Sequence, residues 1–197
     1  MAGSDVQSTF IKPSAVSATL YAGSQSPGGA GNLTLQDPLG VPDMPRNVTI
    51  TSGGDDRTAT FTVTGTDERG DAQTEAITGA NAGAATGTKY FASVSQIAIS
   101  KASAGTVTAG SGTAICGVVF EGRLRLRGMY FANGAATKTI VFNEESSAGT
   151  TLMQIQTTAG VATSAYPDIP DEGVLFKNGC FIPFVLDDFG ALTLFYS

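Results

Sequence analysis

Residues 47–78 read NVTITSGGDDRTATFTVTGTDERGDAQTEAIT, and the apolar side chains in this stretch recur with a period of two. Val48 and Ile50 alternate with threonines, and Phe61 and Val63 alternate with Thr60, Thr62 and Thr64. A strand sends alternate side chains to opposite faces, so each run predicts a half-buried strand with a threonine-bearing outer side. The runs are Asn47–Thr51, Ala59–Thr66 and Gln73–Thr78. SGGDDR and DERGD between them supply the Gly and Asp residues that tight turns use.

The pattern continues outward in both directions. Tyr90–Ser100, Gly105–Ala109, Cys116–Phe120, Arg123–Phe131, Thr139–Asn143 and Thr151–Thr157 read as strands. Gly173–Lys177, Cys180–Leu186 and Ala191–Tyr196 close the series. No window carries apolar residues at helical spacing over three turns. GANAGAATGT (79–88) is expected as a flexible connection too rich in Gly and Ala to hold a packed strand. The predicted class is all-β, with short antiparallel strands in one or two small sandwich or barrel domains. An irregular N-terminal arm, 1–45, precedes β domains at 46–116 and 117–197. SQSPGGAGN and QDPLGVPDMP fill that arm with Pro and Gly, with a short strand at Asn32–Leu35.

Composition narrows the function. Of 197 residues, 42% are hydrophobic and only 14% charged, against about 25% charged in an average domain. The polar surface therefore falls to Thr, Ser, Asn, Gln and Gly, which cost less to desolvate against a neighbour than ions do. The net charge of −6, from 11 basic and 17 acidic residues, is opposite to that of a nucleic-acid binder. It divides evenly on either side of Gly117. No apolar run is long enough to cross a bilayer as a helix. The N-terminus lacks the basic start and apolar core of a signal peptide.

Histidine is absent, which removes the usual general base and the commonest transition-metal ligand. Neither Cys116 nor Cys180 has a base near it in sequence, and both lie in apolar runs. They are expected as buried free thiols. The acidic pairs Asp55–Asp56, Asp67–Glu68, Glu144–Glu145, Asp171–Glu172 and Asp187–Asp188 fall in predicted turns, as solvated residues. A calcium-loop spacing is missing, and the glycine clusters match no phosphate-binding pattern. No catalytic residue, cofactor or metal is expected.

One cluster asks for a role. In Arg123-Leu124-Arg125-Leu126-Arg127, a strand puts Arg123, Arg125 and Arg127 on one face and two leucines on the other. Like charge can protect an exposed edge strand from unwanted pairing. Arginine is also favoured at protein interfaces, so the three form a candidate partner surface.

Two groups of segments resemble structural proteins of tailed-bacteriophage particles. The first is residues 44–83, MPRNVTITSGGDDRTATFTVTGTDERGDAQTEAITGANAG, with TKYFASVSQIAIS at 88–100. The second is TIVFNEESSAGTTLMQIQTT at 139–158, IPDEGVLFKNGCFI at 169–182 and the terminal ALTLFYS. The resemblance implies a virion protein made in the host cytoplasm, with no enzymatic site to carry over. It implies a capsid decoration (cement) protein, or else a head–tail adaptor or tail component. The expected partners are the major capsid protein or other virion proteins and further copies of the chain, a trimer being favoured. Nucleic acid and membrane are not expected partners. A receptor- or glycan-binding β module is a third reading.

Overall fold

A computed structural model describes residues 6–36, 39–159, 164–165 and 169–197. Residues 1–5 and 37–38 of the expected arm lie outside them. The chain is all-β, with several antiparallel sheets of which none closes into a barrel. Its strands are β1 (Gln7–Ile11), β2 (Ala22–Gln25), β3 (Gly31–Asn32), β4 (Arg46–Asp55), β5 (Thr60–Thr66), β6 (Ala72–Thr78), β7 (Asn81–Thr86) and β8 (Ser93–Ile99). There follow β9 (Val107–Phe120), β10 (Leu124–Asn133), β11 (Thr139–Glu144), β12 (Thr151–Gln156), β13 (Ser164–Ala165), β14 (Val174–Phe176), β15 (Cys180–Val185) and β16 (Phe189–Tyr196).

The chain forms two compact units that meet in sequence inside β9, between Ile115 and Cys116. Residues 1–45, read as one arm, divide between the units: those up to Ser14 belong with Cys116–Ser197, and those from Ala15 with the remainder. The described residues of the segment are mostly irregular but include three short strands.

In the unit Ala15–Ile115, one sheet runs β3-β8-β5-β6 and the other places β4 between β9 and β7, with β2 also on β9. The alternation of β5 works as expected. Phe61 and Val63 are fully buried, as are Val48 and Ile50 of β4, and all four join one core cluster with Phe91, Ile97 and Val107. Between β5 and β8 the register shifts after Thr64, where Gly65 lies against the Ser93 carbonyl. A Cβ there would collide with that backbone, so the irregularity requires glycine.

The stretch expected as a flexible connection at 79–88 instead forms β7, which pairs with β4 from Thr49↔Thr86 to Asp55↔Asn81. Its side chains are mostly exposed, and Ala85 alone of the strand packs against the core cluster. Ladder hydrogen bonds hold β7, and periodicity in apolar residues cannot report those.

In the other unit, one sheet runs β1-β16-β10-β13, with β14 also on β10, and β12-β11-β15 lead onto β9. The core is rich in aromatics. Phe131, Phe142, Phe176, Phe181 and Phe189 are buried, and the Phe184 and Phe189 rings stand 4.6 Å apart between centroids. The C-terminal strand β16 lies between β1 and β10, joining Gln7 to Tyr196 in register.

Candidate interaction surfaces

The arginine cluster sits at the start of β10. Leu124 and Leu126 enter the core, while Arg123 and Arg127 are exposed and Arg125 is half-buried, as the alternation requires. The edge-strand reading is corrected, because β10 is paired along both sides. Leu124–Leu126 pair with β14, and Leu126–Asn133 with β16. Arg125 also exchanges both backbone hydrogen bonds with Ser197, at 2.8 and 3.0 Å.

Two of the guanidinium groups have work inside the chain. Arg125 Nη1 donates to the Glu172 carbonyl at 2.9 Å, and Arg127 Nη1 to the Asp171 carbonyl at 3.1 Å. Arg127 Nε reaches the Ser197 hydroxyl at 3.1 Å. These bonds tie the turn before β14, and the chain end, to β10. Gly173 makes that turn possible: its φ is +72°, and a Cβ would meet the Leu126 carbonyl oxygen at 2.6 Å. Arg123, just before β10, is exposed.

A larger feature belongs to the other unit. The outward face of β3-β8-β5-β6 carries Thr60, Thr62, Thr64 and Thr66 along β5. Opposite them on β6 stand Thr78, Ala76, Thr74 and Ala72, and on β8 Ala98 and Gln96. Strand geometry spaces these side chains about 7 Å along a strand and about 5 Å between strands. Glu75, the one charged residue of β6, points with Ile77 to the opposite side. There its carboxylate accepts from the Thr88 backbone at 2.6 Å and hydroxyl at 3.0 Å. The strand residues of the outer face therefore carry hydroxyl, methyl and amide groups and no charge, and the ammonium groups of Lys89, on the Thr74 carbonyl, and of Lys101, on the Thr58 hydroxyl, stand at its rim. Hydroxyls and amides can exchange water for a partner's hydrogen bonds without the penalty of stripping a charge.

Among the described residues, no group of three or more Cys, Asp and Glu side chains converges to hold a metal ion. A recess of about 240 Å³ beside β4 and β9 is lined by Val16, Thr49, Thr51, Thr86, Ser111 and Thr113, and no titratable group reaches it. Neither cysteine is in a disulfide and both are buried, and burial pushes the Cys180 thiol up to about 12, far from a reactive thiolate.

Of the acidic pairs, Asp171 and Glu172 are exposed as expected, as are Glu145 and Asp187, but three residues depart from expectation. Asp56, Glu68 and Asp188 are buried rather than solvated. Asp56 Oδ1 accepts the Ala104 amide at 2.8 Å, and Asp188 accepts the Val185 amide at 2.7 Å and pairs with Lys138 at 3.1 Å. Each fastens a loop, the usual duty of a carboxylate among backbone amides. Asp55 keeps the expected exposure, and its hydrogen bonds to Arg57 hold its carboxyl down at about 2.

Sequence reasoning also missed Arg46, which is 1% exposed, bonded through Nε and Nη2 to Asp43 at 2.9 and 2.8 Å. It lies at the head of a strand whose alternation was read only from Asn47. The signal available was Asp43 three positions upstream.

The fold and these surfaces define an all-β protein of antiparallel sheets whose outward strand faces are poor in charge. No family model, no curated protein and no solved structure matches the chain.

Proposed function

We propose that this chain is a non-enzymatic structural protein of a virus particle, acting as a capsid decoration protein that clamps adjacent major-capsid subunits. The observation that carries the reading is the face of β3-β8-β5-β6, whose ordered rows of threonine and alanine bear no charge of their own. Such a face suits a permanent protein neighbour: it is cheap to dry and offers hydrogen bonds at regular spacing. The absence of histidine and the resemblance of segments 44–83 and 139–158 to phage virion proteins support the same reading. Decoration acts additively, each copy burying surface across a seam that internal pressure would otherwise open. An interface of about 1,600 Å² in total is enough for tight attachment when well packed.

The test is on particles. Virions lacking the protein should release their DNA at a lower temperature than complete ones, and equal heat resistance removes the decoration role. Copy number places it further. Hundreds of copies per particle accord with decoration, whereas a dozen or fewer would move the protein to the head–tail junction or tail.

A further inference from the structure

The sheet β1-β16-β10 has an outward face of its own. On β1 it presents Ser8 and Phe10, on β16 Ala191, Thr193 and Phe195, and on β10 Gly128, Tyr130 and Ala132. In register, Phe10, Thr193 and Tyr130 form one row, and Ser8, Phe195 and Gly128 the next. Phe10 is 64% exposed, Phe195 38%, and Val6 just before β1 60%. No charged side chain lies in these rows. The arginines of the same face stand beyond them, at the Ser197 end, where Arg125 and Arg127 are engaged by backbone carbonyls.

The strand bordering this face is an open edge. Among the described residues β1 pairs with β16 and with no other strand. Its five residues, QSTFI, hold neither a charge nor a proline, the devices that normally blunt an edge, while Lys12 and Pro13 follow at once. The unprotected length is thus confined to β1. The strand itself is firmly set, since the Thr9 hydroxyl bonds to the Val119 carbonyl at 3.2 Å and the Tyr196 hydroxyl at 3.3 Å.

We propose that the Phe10–Phe195 face, with β1 at its border, packs against the same face of a second copy about a two-fold axis. A face packed on its own copy about such an axis is isologous and closes at two subunits. Two copies each carrying −6 repel, so they approach best through an ion-free patch. At about 200 Å² for a fully buried aromatic, the exposed parts of Phe10, Phe195, Tyr130 and Val6, with the small side chains between them in the rows, come to roughly 500 Å² per copy. The pair would bury about 1,000 Å², the low end for a specific contact, so a dissociation constant of roughly micromolar order is expected. The inference deepens the assembly reading above, on which it rests, by naming one partner as the chain itself.

The experiment is sedimentation velocity on the full chain over a concentration series from about 1 to 100 μM, spanning that affinity. Wild type should pass from monomer to dimer. Phe10→Lys should weaken the dimer by about 100-fold, since the change acts twice across a two-fold axis. Its melting temperature should not move, because that side chain is turned outward. Leu152→Lys on β12, a second charge-free edge, should dimerise as wild type does. A wild-type chain that stays monomeric at the highest concentration, a closed trimer, or a dimer lost with Leu152→Lys and kept with Phe10→Lys would each overturn the proposal. None of these readings needs a particle, so failure of the decoration role and failure of the pair are seen separately.

Discussion

The Tyr21 hydroxyl is fully buried, and among the described residues no hydrogen-bond partner meets it. Burial pushes its pKa up to about 12; nearby Arg46 moderates this and Asp43 adds to it. A buried hydroxyl without a partner loses the hydrogen bonds it had to water, which costs about 1–3 kcal/mol. Tyr21→Phe should therefore leave the melting temperature at pH 7 unchanged or raise it. The pH dependence gives a second reading. Tyr21 and Cys180 both ionise more readily in the unfolded chain than in the native one, so stability falls as pH rises from their ordinary values toward about 12. With both groups the loss approaches about 2.7 kcal/mol per pH unit between about 10 and 12, and Tyr21→Phe should halve it, to about 1.4. Urea titrations at stepped alkaline pH measure the slope; an unchanged slope would exclude Tyr21 as its source. At this scale the sequence informs unevenly. Burial of Cys116 and Cys180 follows from their apolar runs, but Asp56 and Asp188 turn inward to amides that loop closure brings from other residues, which neighbours in sequence do not reveal.

Among the elements, β14 shows how a three-residue strand is held. It is carried onto β10 by a turn whose Gly173 combines a positive φ with close approach to the Leu126 carbonyl, and Arg125 and Arg127 fasten that turn. Gly173→Ala meets both obstacles, and should lose about 3 kcal/mol, a fall in Tm of roughly 6–12 °C. Gly70 is the control: its φ is +82°, but no atom lies within 4 Å of the would-be Cβ. Gly70→Ala meets only the backbone preference, and should lose about 1–2 kcal/mol. Calorimetry on the two variants separates the terms, and equal losses would remove the packing explanation. Strands with a buried face, such as β5, β8 and β10, were readable because alternate apolar residues announce them. β7 was not, since Ala and Gly on an edge leave no apolar rhythm, and the arginine-rich strand passed for an edge because its neighbours come from residues 174–176 and 189–196, far along the chain.

For the whole molecule, the question is which force would join copies. If the arginine cluster met carboxylates of another subunit, association would weaken with salt. Raising the ionic strength from about 0.1 to 1 M shortens the screening length from about 10 to 3 Å and removes most of such an attraction. If the contact is the neutral face of β1, β16 and β10, salt screens only the mutual repulsion of two chains at −6, and association holds or tightens. Lowering the pH toward the isoelectric value near 4.5 discharges the carboxylates and should act in the same sense. An arginine–carboxylate contact would instead lose its acidic partner. We therefore expect the dimer constant to change by less than about threefold, or to tighten, over that salt range, and to tighten as the pH falls from 7 toward 5. Light scattering at fixed protein concentration follows both. Tenfold weakening in high salt would return the contact to Arg123, Arg125 and Arg127, where the sequence alone had placed it: a run of three charges is conspicuous in a string of letters, whereas the pairing of Phe10 with a strand more than 180 positions away exists only once the sheet has formed.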